Sequence, residues 1–206
     1  MSSIVPGIVL AAGMSSRMGR AKASLPIGSS GETFVTRIVR TLRDGGIDDV
    51  LVVTGNHEQV VSACLANMDL PPRLVVNPTP ELGQYSSLQI GLSEVVRPGV
   101  GAVLVTLVDV PLIKAETVRM LLEAYSQSCA PVVRPVRNGR HGHPVIFDRS
   151  VFNELKSMPA SIGAKAVVRR HAEESVEVEV EDEGPFLDID TLDDYQRIFH
   201  QLIPKE

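Results

Sequence analysis

At 206 residues, with 44% hydrophobic and 22% charged residues, the chain has the composition of one globular domain with room for a substantial core. Aromatic residues make up only 4% and Trp is absent, so that core must come mainly from Val, Leu, Ile and Ala. A net charge of −5 argues against nucleic acid as the main partner, because binding a phosphate backbone needs a basic face.

No apolar run approaches the roughly eighteen residues of a membrane span, and the start of the chain lacks a secretory pattern, so a cytoplasmic protein without membrane contact is expected. Cys64 and Cys129 stand far apart without metal-spaced neighbours. Both fall in apolar helical patterns and are expected as buried free thiols of a reducing compartment.

Along the chain, strand-like and helix-like segments alternate. Ile4 to Leu10 is a continuous apolar run, as expected of a strand covered on both faces. Residues 10–22 follow as Leu-Ala-Ala-Gly-Met-Ser-Ser-Arg-Met-Gly-Arg-Ala-Lys, a loop of small residues carrying the cations Arg17, Arg20 and Lys22. Small residues such as Ala11, Ala12, Gly13 and Ser15 let an anion approach the backbone, whose successive N–H groups can converge on a phosphate. The loop is not a P-loop: five residues separate Gly13 from Gly19, and Lys22 does not follow Gly19 directly. It lacks the dinucleotide pattern of spaced glycines as well. It is either a phosphate nest or an ordinary strand-to-helix turn with solvated cations.

Val35, Ile38, Val39 and Leu42 then recur at helical spacing, closed by Gly45 and Gly46. Val50 to Thr54 reads as a strand, the stripe Val60, Val61, Cys64 and Leu65 as a helix, and Arg73 to Val76 as a strand. Gly83 opens a turn into a short helix, where Ser86 and Ser87 either cap the helix or meet a base or sugar. Ala102 to Val108 is a strand closed by Asp109 and stopped by Pro111. A carboxylate at the end of an apolar strand is costly unless it caps a turn, binds a cation or reaches solvent. Val118, Leu121, Leu122 and Tyr125 give the next helix.

The second half is less regular. Val132 to Val136 and Pro144 to Phe147 read as strands separated by the polar turn Arg137 to Arg140. His141 and His143 flank Gly142 there, in a basic turn that is either structural or a second phosphate contact. Val151 to Ser157 and Gly163 to His171 look helical. Glu174 to Glu181 alternates Val with Glu, a half-exposed strand whose acids form a solvated face. Asp188, Ile189, Asp190 and Thr191 precede a last amphipathic helix with Leu192, Tyr195, Phe199 and Leu202. Asp190 or Thr191 would serve as its N-cap.

Ligands of open α/β sheets bind beyond the carboxyl ends of the strands. The basic loop and Asp109 both fall there. Mg²⁺ favours one or two carboxylates with phosphate and water oxygens completing its shell, so Asp109 and Asp190 beside the loop would suit a metal–triphosphate site.

These residues resemble a known family. The 10–22 loop is similar to the signature loop of the MobA-like nucleotidyltransferases, most of all their molybdenum cofactor cytidylyltransferase branch. The likeness continues at Asn77-Pro78, Gly83 through Leu88 to Leu92, Val108 to Pro111, Gly142-His143-Pro144 with Phe147, and Asp188 to Thr191.

The resemblance implies a single three-layer α/β/α Rossmann-like domain with a mainly parallel sheet, its first half binding nucleotide and its second half the acceptor. It implies Mg-dependent transfer of CMP from CTP to the phosphate of molybdopterin, with release of pyrophosphate. Arg17, Lys22 and Asp109 would be catalytic, and Asp109 and Asp190 would hold Mg²⁺. Leu10, Ala11, Ala12, Gly13, Ser15, Arg17, Lys22, Gly83, Ser86 and Ser87 would bind nucleotide, while Gly142, His143 and Pro144 would face the acceptor. The Ala11-Ala12 pair is similar to the cytidylyl branch.

Transfer from GTP, or to a sugar or other small phosphate, is the alternative. A non-catalytic partner that hands cofactor to a molybdoenzyme apoprotein is a rival of another class. One block departs from the family: where Gly-Asp-x-Gly-Ala-Arg is common, this chain has Ala160-Ser-Ile-Gly-Ala-Lys165.

Overall fold

The computed structural model describes residues 4–13, 20–28, 31–159 and 162–199, and turns the strand–helix alternation into three layers. Strands β1 (Gly7–Leu10), β2 (Val50–Thr54), β3 (Arg73–Val76) and β4 (Ala102–Leu107) are joined by α1 (Phe34–Asp44), α2 (Glu58–Leu65) and α3 (Gln84–Val95). After α4 (Ala115–Ser128) come β5 (Val132–Arg137), β6 (Arg140–His141) and β7 (Val145–Asp148). The chain continues with α5 (Phe152–Ser157), α6 (Ala164–Arg170), β8 (Val176–Glu179) and α7 (Leu192–Phe199).

The strands make one eight-stranded sheet in the order β3-β2-β1-β4-β7-β5-β6, with β8 beside β5. β1 pairs in parallel with β2 and β4, β2 with β3, and β5 with β8. β7 runs antiparallel to both β4 and β5, so β5 again points the same way as β4. The sheet is therefore mainly parallel, as expected.

Alternation along each strand divides the core. Val9, Val52, Leu104 and Val133 face α1, α2, α4 and α7. Ile8, Leu51, Val53, Val103 and Val132 face α3, α5 and α6. Burial on both faces is why these strands read as unbroken apolar runs.

Several boundaries and environments differ from the sequence reading. β1 starts at Gly7, because Pro6 has no N–H to donate and Ile4 makes only an isolated bridge to Val100. The helix after Gly83 is twelve residues long. The turn at Asn138 and Gly139, both at positive φ, folds β5 back onto the short strand β6. Cys129 is exposed at the left-handed C-cap of α4, and Cys64 is only partly buried. The expected burial of both thiols is thus corrected: α4 turns its Val118, Leu121 and Tyr125 stripe inward and ends before Cys129 can join it. Leu202 lies outside the described residues.

One contact ties the last helix to the loop after β1. Tyr195 is fully buried, stacks on Phe34 at 6.2 Å and donates its hydroxyl to the Pro26 carbonyl at 2.8 Å. Tyr195→Phe keeps the ring and loses this bond; urea denaturation should show a loss of about 1 kcal/mol.

Candidate functional site

Three distant segments meet at the carboxyl ends of β1 and β4. Lys22 begins a short 3-10 turn after the loop and is mostly buried. Asp109 follows β4, whose continuation is held by Val108 N–H donating to the Leu10 carbonyl at 3.1 Å. Asp190 lies just before α7. The Lys22 ammonium donates to Asp190 Oδ1 at 2.6 Å and to Asp109 Oδ2 at 3.3 Å. The second oxygen, Asp109 Oδ1, is buried without a hydrogen-bond partner.

A third acid stands close by. Burial raises the Asp188 carboxyl above its ordinary value, and the negative charges of Asp109 and Asp190 push it the same way, while Lys22 and Arg140 oppose them. Among the described residues, three carboxylates against Lys22 and Arg140 leave this pocket acidic. Among the described residues no group of three or more His, Cys, Asp or Glu side chains is arranged to hold a metal by itself. Two carboxylates that already converge on one cation, with one buried oxygen unpartnered, do fit a metal whose remaining ligands are phosphate and water oxygens.

The segment 182–190 builds this meeting point. Asp182 is buried, and its carboxylate accepts from Lys114 N–H and the Thr117 hydroxyl, both at 2.8 Å, and from Gly184 N–H at 3.0 Å. It thereby ties the start of α4 to the turn at Gly184–Phe186. Ile189 N–H donates to the Asp109 carbonyl at 2.9 Å, and His143 N–H to the Pro185 carbonyl at 3.0 Å. Two glycines permit the close approach: a Cβ on Gly184 would lie 2.1 Å from the Leu112 carbonyl oxygen, and one on Gly142 would lie 2.3 Å from that of Pro185. Asp182 carried no sequence signal; it sits between Glu181 and Glu183 in what reads as a solvated acidic run.

The remaining candidates divide. Leu10, Ala11 and Ala12 are buried at the end of β1, with Ala11 N–H donating to the Val53 carbonyl, and Gly13 follows them. Ser15 and Arg17 lie outside the described residues. Gly83 has φ +92° and precedes α3. Ser86 and Ser87 point inward: the Asn77 amide donates to their hydroxyls at 2.8 and 2.9 Å, and Ser86 donates to the Gly83 carbonyl. Their hydroxyls therefore hold the turn through Asn77, and the Gly83 backbone is engaged in the same turn, its N–H donating to the Pro80 carbonyl at 3.0 Å and its carbonyl accepting from Ser86.

Gly142 and His143 line a cleft of about 580 Å³ together with Leu10, Leu107, Tyr85 and Lys165. Pro144, buried, follows at its edge. The block at which the chain departs from its family thus borders the same cleft through Ile162, Gly163, Ala164 and Lys165, while Ala160 and Ser161 are outside the described residues. Glu177 is no bystander on a solvated face: it accepts from Arg134 at 2.6 Å and pairs with His141 at 2.7 Å.

A mainly parallel sheet with a cationic side chain held between aspartates at its carboxyl edge is the architecture of a nucleotide-handling α/β enzyme. Residues 7–176 match the profile of the MobA-like NTP transferase domain, and the chain belongs to that nucleotidyltransferase family.

It is similar to nicotine blue oxidoreductase of Paenarthrobacter nicotinovorans, at 32% identity over 94% of this chain and 96% of that one. A probable molybdenum cofactor guanylyltransferase of Rhodopirellula baltica is 31% identical over 62% of this chain and 58% of its own. The crystal structure of Rv0371c from Mycobacterium tuberculosis superposes with a TM-score of 0.82 at 28% identity, covering 98% of this chain and 100% of that one. The same protein has been solved in complex with manganese.

Two outcomes follow for this scaffold. Asp182→Ala strands two backbone N–H groups and a hydroxyl, and should cost about 3 kcal/mol in urea denaturation. Burial holds the His143 imidazole below its ordinary value, against the opposing pull of the Val105 backbone and Asp109. The unfolded chain therefore takes up this proton first, and native stability should fall as pH drops below about 6.5. His143→Gln should flatten that part of the melting temperature–pH curve between pH 5 and 8.

Proposed function

We propose that this nucleotidyltransferase moves CMP from CTP to the phosphate of molybdopterin, releasing pyrophosphate. The convergence of Lys22, Asp109 and Asp190 beside a cleft that reaches the Gly142-His143 turn carries the reading. An acceptor phosphate oxygen attacks the α-phosphorus in line. The new P–O bond forms as the bond to the bridging oxygen breaks, and its electron pair leaves with pyrophosphate. The attacking oxygen is already ionised, so no side chain has to remove a proton.

Lys22 contributes a fixed ammonium beside the triphosphate path, where it offsets charge on the transferring group and the leaving pyrophosphate. Arg17 and the amides from Gly13 to Ser15 would share that role. Asp109 and Asp190 would hold Mg²⁺, which when bound neutralises phosphate oxygens. His143, held below its ordinary value by burial, borders the cleft without adding charge to it. The Ala11-Ala12 pair favours CTP over GTP by family likeness.

The likeness to a protein named nicotine blue oxidoreductase, over 94% of this chain, supports a second reading, in which the cleft serves an oxidoreductase reaction. A pyrophosphate-release panel of four nucleoside triphosphates against molybdopterin and simpler phosphomonoesters separates the readings, alongside an NADPH-oxidation assay. CTP-dependent release with molybdopterin is the expected result. Asp109→Asn should then lower turnover at least a hundredfold with an unchanged melting temperature, and chelation by EDTA should abolish release. A variant turning over at near wild-type rate would remove Asp109 from the machinery.

A further inference from the structure

The cleft beside Asp109 has a second end whose chemistry the transfer step does not use. Its near end is Leu10 and Leu107, at the carboxyl ends of β1 and β4. Its middle is apolar, walled by Tyr85, Leu88, Val145 and Phe147. Its far end carries the cations Arg134 on β5 and Lys165 and Arg169 on α6, beside the imidazole of His141 on β6. β5 lies three strand spacings from β1, about 14 Å.

Arg134 shares a sheet face with Val132, which packs against α3 and α5, so its side chain projects on the cleft side. Its terminal nitrogen Nη2 is held by Glu177 at 2.6 Å, and the same Glu177 oxygen pairs with His141. Glu177 therefore orients both groups, yet Arg134 Nε remains buried without a hydrogen-bond partner. No acidic side chain lines the cleft, and no ion pair to Lys165 or Arg169 occurs among the described residues. Buried polar groups without partners mark places where a ligand completes the hydrogen bonding.

We propose that the far end of this cleft is a second anion subsite. It would select acceptors that carry a negative group across a flat apolar body from the phosphate that is attacked. Arg134 is its anchor, with Nε directed to a carboxylate or other oxyanion, and Lys165 closes it from α6. The inference rests on the reading of this cleft as the acceptor site. It adds a requirement that the transfer chemistry does not contain: two anionic ends separated by an aromatic width.

The test uses the full chain and two probes, naphthalene-2-sulfonate and the uncharged naphthalene-2-sulfonamide, titrated by calorimetry. The wild type should bind the sulfonate at least fivefold more tightly. Arg134→Met should erase that preference while CTP binding with Mg²⁺ is unchanged. Lys165→Met, at an exposed position, should weaken it at least twofold and serves as the second arm where Arg134→Met does not fold. Equal affinity of the two probes for the wild type, or a preference that survives these substitutions, overturns the subsite. The readout needs no turnover, so a failure of nucleotidyl transfer to molybdopterin would leave this result independently readable.

Discussion

The site depends on one ionic contact. Lys22 and its partners are 87 and 168 positions apart in the chain, and their charges are brought to within 3.3 Å in a partly buried setting. Carboxylates this close repel one another, and Asp188 adds to the repulsion. The lysine makes their proximity tolerable, so the loop after β1, the end of β4 and the start of α7 hold one another in place through charge. Lys22 keeps a second acid when either is neutralised, so the arrangement tolerates the loss of one carboxylate charge. It also leaves the carboxylates in excess over the cation, an environment suited to receiving positive charge.

Charge alone does not set the geometry. The segment 182–190 crosses the carboxyl edge of the sheet and touches each half of the site in turn. Asp182 holds the start of α4, the Pro185 carbonyl holds His143, and Ile189 is bonded to the Asp109 carbonyl. Two residues later the chain supplies Tyr195's helix, whose hydroxyl reaches the loop that carries Lys22. One stretch of chain thus couples the position of the Gly142-His143 turn to that of the acidic pocket. Glycine at 142 and 184 is required because backbone of the neighbouring segment occupies the space a side chain would need.

Much of the sheet was legible. Val50 to Thr54 coincides with β2, a strand buried along its length and therefore continuously apolar, and Arg73 to Val76 coincides with β3, an edge strand with exposed ends. The helices with clear 3.6-residue stripes, α1 and α4, were equally plain. The misses have identifiable causes. Cys129 follows an apolar stripe in sequence but falls after the helix has ended. Asn138-Gly139 was seen as a turn, but the two-residue strand it creates is too short to carry a periodic signal. Ser86 and Ser87 read either as helix caps or as contacts to a base or sugar, and spacing does not show that Asn77, ten positions or fewer away, donates to both hydroxyls inside the fold.

The sequence by itself determined the family, the layered architecture and the identity of Lys22, Asp109 and Asp190 as candidates, because apolar periodicity and the signature loop are local properties of the chain. Only the tertiary structure decided that these three meet and that Asp182 fastens the edge they share. It alone turned Glu177 from a surface acid into the holder of Arg134 and His141, and joined the divergent block to the cleft that Gly142 and His143 line. Those facts depend on which residues face one another across strands and helices far apart in the chain. Residue type and spacing carry no record of that, since the same Glu or Asp satisfies a solvated face equally well.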